Sequence, residues 1–352
     1  IAKHTQEDTC NGLADESRMP DVLPQLDLYH PWDIDPGSAE TIARECEAVG
    51  RSHDTQITSS DGAQVSSQQS CRVYGNSHGF MGSYVGTRHS VSCVLIAKDA
   101  SGMQRDYWYT VARDPALMES AEAVGVEAAR RTVAKLAPRR IATGRFPVVF
   151  SAQAAAGLAG HLLGAISGGA LYRKASFLLD SLGNTVAAGH LRLSEEPHLP
   201  GQLGSAGFDG DGVGTQNKAF INDGVVENYV LSTYSARKLG METTGNAGGV
   251  FNLTMPGNTI PAVNLFKEMR RGLVVTDLMG QGVNSVTGDY SRGASGFWVE
   301  DGELVYPVDE ITIAANMRDM FKDIVCLGDD LDIRGNIRTP SVLIGSMTLA
   351  GE

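Results

Sequence analysis

The stretch SAQAAAGLAGHLLGAISGGALYRKASFLLDSLG, Ser151 to Gly183, decides how the rest of the chain is read. It follows Pro147-Val148-Val149-Phe150, a short apolar run suited to a buried strand. Ser151 then stands where a helix cap is needed, because a hydroxyl oxygen there can accept from free backbone N–H groups. The small and apolar residues after it suit a buried helix. His161 lies inside that helix, with Leu162 next to it and Ile166 five residues on. A lone imidazole on such a face is more often a core or helix-end histidine than a metal ligand, since catalytic zinc takes about three protein ligands. The helix is therefore expected to be structural, with Leu162 and Ile166 buried.

Upstream, the pattern begins with a polar, irregular segment over residues 1–34. Asp35 caps a helix, Pro36 occupies its first turn, Ala39, Ile42, Ala43, Cys46 and Val49 recur along it, and Gly50 is expected to stop it. From Thr55 to Arg113 the period becomes two, with Val91, Cys93, Leu95 and Ala97 alternating against Ser90, Ser92, Val94 and Ile96, the mark of an antiparallel meander. Pro115 to Ala137 reads as a second helix with Val126, Ala129, Val133 and Leu136 on its inner face. Downstream, Asn222-Asp223-Gly224 between Ala219–Ile221 and Val225–Leu231 signals a hairpin. Asp301-Gly302 between Gly296–Glu300 and Glu303–Tyr306 signals another. Short helices are expected at Ser235–Leu239, Val263–Arg271 and Met317–Asp323.

Strands and helices come in separate runs, so the class expected is α+β. The basic, loop-like 138–144 marks a boundary between two domains. Residues 1–140 form an N-terminal and middle α+β domain, and residues 141–352 a mostly β, antiparallel-sheet-rich C-terminal domain. The chain starts at Ile1 without a Met, and its natural start is expected upstream.

Composition excludes several classes. The 352 residues are 42% hydrophobic and 20% charged, with 41 glycines and a net charge of −12. No Lys/Arg run exceeds two residues, so the basic surface that nucleic acid requires is missing. No apolar run approaches the ~18 residues of a membrane span, and no signal sequence is evident. The five cysteines are odd in number and never spaced C-x-x-C. That points to reduced thiols in a cytoplasmic protein.

Gly75-Asn76-Ser77-His78-Gly79 matches G-x-S-x-G, but a nucleophile elbow needs a helix to follow it, and Phe80–Val85 reads as a strand. Asp209-Gly210-Asp211-Gly212-Val213-Gly214 resembles a calcium loop only until Phe220 stands where a bidentate Glu is required; a flexible acidic loop is expected. No phosphate-binding glycine motif is present. His190 and His198, with Glu195 and Glu196 nearby, are expected on a surface loop. Thr243–Gly249 and Thr287–Gly293 are rich in polar residues and glycine, as a peptide groove or plain turns would be. Asn76, His78, Arg237, Asn246, Asp289, Tyr290 and Arg292 are the groove candidates.

Four segments carry a family resemblance: Tyr74–Gly79, Leu178–Gly183, Tyr234–Gly240 and Val286–Gly293. In collinear order from about Leu26 onward, the chain resembles the PmbA (TldE) branch of the PmbA/TldD family, described as metalloproteases and as modulators of DNA gyrase. The resemblance implies a further N-terminal α/β portion that this chain is expected to lack. It implies peptide processing of the kind in which family members trim the leader of a gyrase-targeting microcin and degrade the CcdA antitoxin. It also implies a zinc site of H-E-x-x-x-H plus a downstream cysteine in TldD-like subunits. Carried over residue by residue, only His161 matches that site. Leu162 replaces the glutamate, Ile166 the second histidine, and the cysteine position falls near Thr339-Pro340. No catalytic or metal-ligating residue and no bound cofactor is therefore expected in this chain, and zinc is expected in a TldD-like partner. The reading is a non-zinc subunit that handles unfolded peptides with that partner. Two rivals stand beside it: an autonomous zinc metallopeptidase using His161, and a non-catalytic homodimer that binds peptides.

Overall fold

A computed structural model of the chain describes residues 6–257 and 259–351. The first helix, α1 (Pro36–Ser52), begins as expected: Asp35 Oδ1 accepts from Gly37 N at 2.8 Å and Ser38 N at 3.0 Å, with Pro36 in the first turn. Gly50 does not stop it but lies buried within its last turn. Strands β1 (Ile57–Gly75), β2 (Met81–Asp99) and β3 (Gly102–Ala112) make the expected antiparallel meander. Val91, Cys93, Leu95 and Ala97 point from β2 into a core shared with the helices.

The second helix, α2 (Ala121–Ala134), starts later than Pro115. Residues Pro115–Leu117 form a separate 3-10 turn, and Ser120 Oγ accepts from Ala123 N at 3.1 Å to cap the helix. Its buried stripe is Val124, Gly125, Ala128, Ala129 and Thr132, whereas Val126 and Val133 are only half-buried. The reason lies in the crossing with α1. A Cβ on Gly50 would come within 3.0 Å of the Gly125 carbonyl oxygen, and one on Gly125 would collide with the Cys46 carbonyl oxygen. The two helices meet backbone to backbone, and that contact fixes the rotation of α2. All five cysteines are free thiols.

The remaining elements follow in order. First come β4 (Gly144–Phe150), α3 (Ala152–Ala165), α4 (Gly168–Tyr172), β5 (Leu193–Glu195), β6 (Lys218–Asn222) and β7 (Val225–Val226). Next are α5 (Thr233–Lys238), β8 (Leu253–Thr254), β9 (Thr259–Ile260), α6 (Ala262–Met269) and β10 (Gly272–Met279). The last are β11 (Asp289–Glu300), β12 (Glu303–Asn316), α7 (Met317–Lys322), β13 (Ile324–Gly328), β14 (Ile337–Arg338) and β15 (Val342–Ala350). One sheet runs β12-β11-β10-β4-β15-β13-β9, and a further pairing of β12 with β15 closes five of these strands on themselves. A smaller sheet runs β14-β8-β5-β6-β7. The architecture is mixed α and β, with β4 parallel to β10 and antiparallel to β15.

Both predicted hairpins form. Asp223 and Gly224 have φ of 46° and 77°, and Asp301 and Gly302 have 51° and 82°. Left-handed conformations at both central residues are what a type I′ turn requires. The strand expected over Val225–Leu231 shortens to Val225–Val226, because Val230 N donates instead to Ile166 O at 3.1 Å. The short helices α5, α6 and α7 fall at the expected places, and no helix among the described residues is long and apolar enough to cross a membrane.

Three arginines of the meander and the last loop tie it to the rest. Arg113 donates to Gln202 O and Leu203 O, Arg72 to Asp209 O, and Arg334 lies over the Trp108 ring at 4.0 Å.

Candidate functional site

The strand β4 delivers α3 into the core. Ser151 takes the cap position, and its N–H donates to Val275 O at 3.0 Å, but its hydroxyl is buried with no hydrogen bond, so the expected side-chain cap is not made. The helix ends at Ala165, and the stretch to Gly183 breaks into α3 and α4. Leu162 and Ile166 are both 0% exposed, as a structural helix requires.

His161 is half-buried on the same helix. Its ring meets Tyr290 edge-on with centroids 6.1 Å apart, and Tyr290 in turn meets Phe150 at 6.5 Å. Tyr290 and Arg292 lie two residues apart on β11 and so share a face of that strand. Burial, with the Arg292 guanidinium adding to it, holds the imidazole below its usual range. Burial pushes the Tyr290 phenol up to about 12, with Arg292 pulling the other way. Neither the Tyr290 hydroxyl nor Arg292 Nε makes a hydrogen bond of good geometry.

Those three side chains are the part of the candidate set that converges. Asp289, one residue along β11, is exposed and accepts from Thr287 Oγ1 at 2.6 Å and Asn316 Nδ2 at 3.2 Å, which lowers its carboxyl. Asn76 and His78 sit at the β1–β2 turn, where His78 N donates to Asn76 Oδ1 at 3.1 Å; with strands on both sides this is a hairpin and no elbow. Arg237 on α5 donates to Leu13 O at 2.7 Å and holds the N-terminal segment.

Asn246 belongs to a second polar centre. Its Nδ2 donates to Glu195 Oε1 at 2.9 Å. Glu195, expected on a surface loop, is 0% exposed on β5, opposite Lys218 of β6 in register. Lys218 Nζ donates to Glu195 Oε2 at 2.6 Å and Phe251 N to Oε1 at 2.7 Å. Burial raises the Glu195 carboxyl, and Lys218 and the N–H donors pull it back. The acidic loop after Phe208 is likewise no flexible surface: Asp209 is fully buried, and its carboxylate accepts from Asp211 N, Val213 N and Ala247 N. Sequence reading passed over Glu195 although a signal was present, since Leu193 and Glu195 alternate as one face of a strand does.

Beside this centre lies a cavity of about 640 Å³, walled by Lys218, His198, Asn217, Asn228 and Thr243 and closed on one side by Arg18 and the segment after it.

With this geometry in view, the class is defined by two family matches. Residues 29–136 match the PmbA/TldA metallopeptidase central domain, and residues 143–351 the PmbA/TldA metallopeptidase C-terminal domain. The chain belongs to the PmbA/TldD metalloprotease family. It is 46% identical over 352 residues to the metalloprotease PmbA of Escherichia coli O157:H7, an alignment covering 100% of this chain and 78% of that one. A solved structure from Bacteroides thetaiotaomicron, named for modulation of a DNA gyrase, superimposes with a TM-score of 0.94 at 27% identity, covering 99% of this chain and 80% of that one. TldE from Thermococcus kodakarensis shares the fold, with a TM-score of 0.80 at 21% identity over 99% of this chain and 82% of that one.

The family name implies a metal, and the residues around His161 do not fit one. Leu162 and Ile166 offer no donor. Thr339 Oγ1 donates to Ala152 O at 2.9 Å, at the opposite end of α3, and the nine-residue separation from His161 corresponds to about 13 Å along the helix axis. Among the described residues, no group of three or more His, Cys, Asp and Glu side chains is placed to hold a metal ion.

Proposed function

We propose that this chain is the PmbA/TldE-type subunit of a two-chain, cytoplasmic metalloprotease of the TldD/TldE kind, and that it contributes framework and peptide handling while a TldD-like partner carries the zinc. The observation that supports this reading is the burial of Leu162 and Ile166 beside His161. The glutamate that would take a proton from metal-bound water and the histidine that would complete the ligand set are replaced by side chains built into the core. TldE from Thermococcus kodakarensis has the same fold, and the relative from Escherichia coli O157:H7 is named as a metalloprotease. The substrates on this reading are unfolded peptides of the leader and antitoxin type.

The test is reconstitution. This chain, a TldD-like chain with H-E-x-x-x-H, and the mixture are each incubated with an unfolded peptide. Cleavage is expected in the mixture, with loss when the partner's glutamate is replaced and retention with His161→Ala in this chain. Chelator-sensitive cleavage by this chain alone overturns the reading.

A further inference from the structure

We infer that the cavity beside the Glu195–Lys218 pair is a carboxylate-binding site, taking the carboxylate of a short aliphatic acid or of a peptide C-terminus. The assignment rests on the cavity alone and stands whether or not the chain works with a zinc-bearing partner.

The cations at its wall have their carboxylate partners outside the cavity, Glu195 for Lys218 and Glu242 for Arg18. Arg18, His198 and Lys218 line it, and no Asp or Glu side chain does. Lys218 has three N–H donors, one of which is given to Glu195 from behind the wall. Arg18 meets exposed Glu242 through one guanidinium nitrogen, leaving its other donors at the rim. The hydroxyls, by contrast, are used internally. Thr215 Oγ1 donates to Ala206 O, Thr243 Oγ1 to Leu231 O and Thr244 Oγ1 to Tyr229 O. Because the Thr215 hydrogen is given to Ala206, the His198 Nε2–Thr215 contact of 3.0 Å is one in which the imidazole donates. The side-chain amides of Gln216 and Asn217, each with N–H donors beside a carbonyl acceptor, complete the lining around an open space. Charge-assisted hydrogen bonds to a carboxylate are what such donors would make. Inorganic anions would leave the rest of the space unfilled. Met19, Pro20, Val22, Pro24 and Val213 give it an apolar side that suits an aliphatic chain behind the carboxylate.

The experiment is calorimetric titration of the full chain with acetyl-Ala-Ala-Val as the free acid, with the same peptide as its C-terminal amide, and with butyrate. The free acid is expected to bind at least about tenfold more tightly than the amide, the effect of losing one good ionic contact. Butyrate binding as well as the peptide acid identifies free acids as the natural source, and a clear preference for the peptide acid identifies peptide termini. The paired variant Lys218→Met with Glu195→Gln, which leaves no uncompensated buried charge, should abolish the preference for acid over amide. Arg18→Gln, on the exposed rim, keeps the test decisive should that pair fail to fold, and it should weaken acid binding by about threefold or more. Equal binding of acid and amide overturns the site, as does no binding of either acid, or acid affinity unchanged in every folded variant.

Discussion

Two places bring polar chemistry into the C-terminal half, and they are built in opposite ways. At α3 and β11, His161, Tyr290 and Arg292 meet in apolar surroundings, and the Tyr290 hydroxyl and Arg292 Nε make no hydrogen bond of good geometry. At β5 and β6, the Glu195 carboxylate has donors on both oxygens, drawn from Lys218, Asn246 and the Phe251 backbone. A buried polar group left without a partner costs about 1–3 kcal/mol, whereas a paired one is close to neutral or favourable. The first place is an apolar helix face carrying a few polar groups. The second is a polar network whose outer members line a cavity. Family membership draws attention to the first, and the physical chemistry of binding favours the second.

The sharpest break of this comparison is at the helix. Leu162→Asp puts an acidic side chain beside His161, where the proposed correspondence to TldD-like chains sets a glutamate, in a site with no exposure. An unpaired carboxylate there should destabilise the chain by more than about 4 kcal/mol, beyond the range of most substitutions. Urea unfolding measures it. A variant as stable as the parent would mean that the face is hydrated, and an open catalytic pocket at His161 would return.

Next comes the ion pair. Lys218→Met leaves Glu195 buried without its counter-charge and should cost about 3–5 kcal/mol, while Lys218→Met with Glu195→Gln should recover most of that loss. If the single variant is as stable as the double, the Glu195 carboxyl takes up a proton once Lys218 is lost, and the ion pair is not what holds the network together.

How much of this was legible in the sequence follows the range of the interactions involved. The meander, the two left-handed hairpin turns and the cap at Asp35 are written in neighbouring residues, and they were readable. So was the aliphatic character of positions 162 and 166. The rotation of α2 was not, because it depends on Gly50 and Gly125 meeting across 75 residues of chain. The Glu195 network was legible only in part: Glu195 alternates with Leu193 on one strand face, but its partners come from β6 and the loop holding Asn246, and in sequence each of these resembles a surface residue. Ser151 shows the reverse error. Its local pattern promised a cap, but its side chain is buried with no partner.

A smaller effect tests the helix crossing. Gly125→Ala would gain roughly 0.5–1 kcal/mol of helix propensity if it were exposed, but its Cβ would press on the Cys46 backbone. A net loss of about 1–2 kcal/mol is expected from overpacking. Gly160→Ala on α3 has nothing within 4 Å of the added carbon and serves as the control that should stabilise. Equal gains in both would show that α1 and α2 have room to part.

The smallest effect is a pH dependence, and its sign follows from the cluster. Burial first, and Arg292 second, depress the folded-state pKa of His161, while in the unfolded chain the imidazole titrates near about 6.5. Between those values the unfolded state binds a proton that the folded state resists, so stability declines as pH falls below about 6.5. The contribution is fully present above that pH. His161→Gln should therefore lose less stability than the parent between about pH 6.5 and pH 5.5, the window below the unfolded value. The remaining slope in the variant has a known source in His198, which burial and Lys218 depress in the same direction. Arg292→Gln should raise the His161 pKa seen by NMR only in part, since burial is the larger cause and remains. Identical pH profiles for parent and His161→Gln would show an imidazole titrating as in water, and the contrast between a desolvated helix site and a networked cavity would fail at its first member.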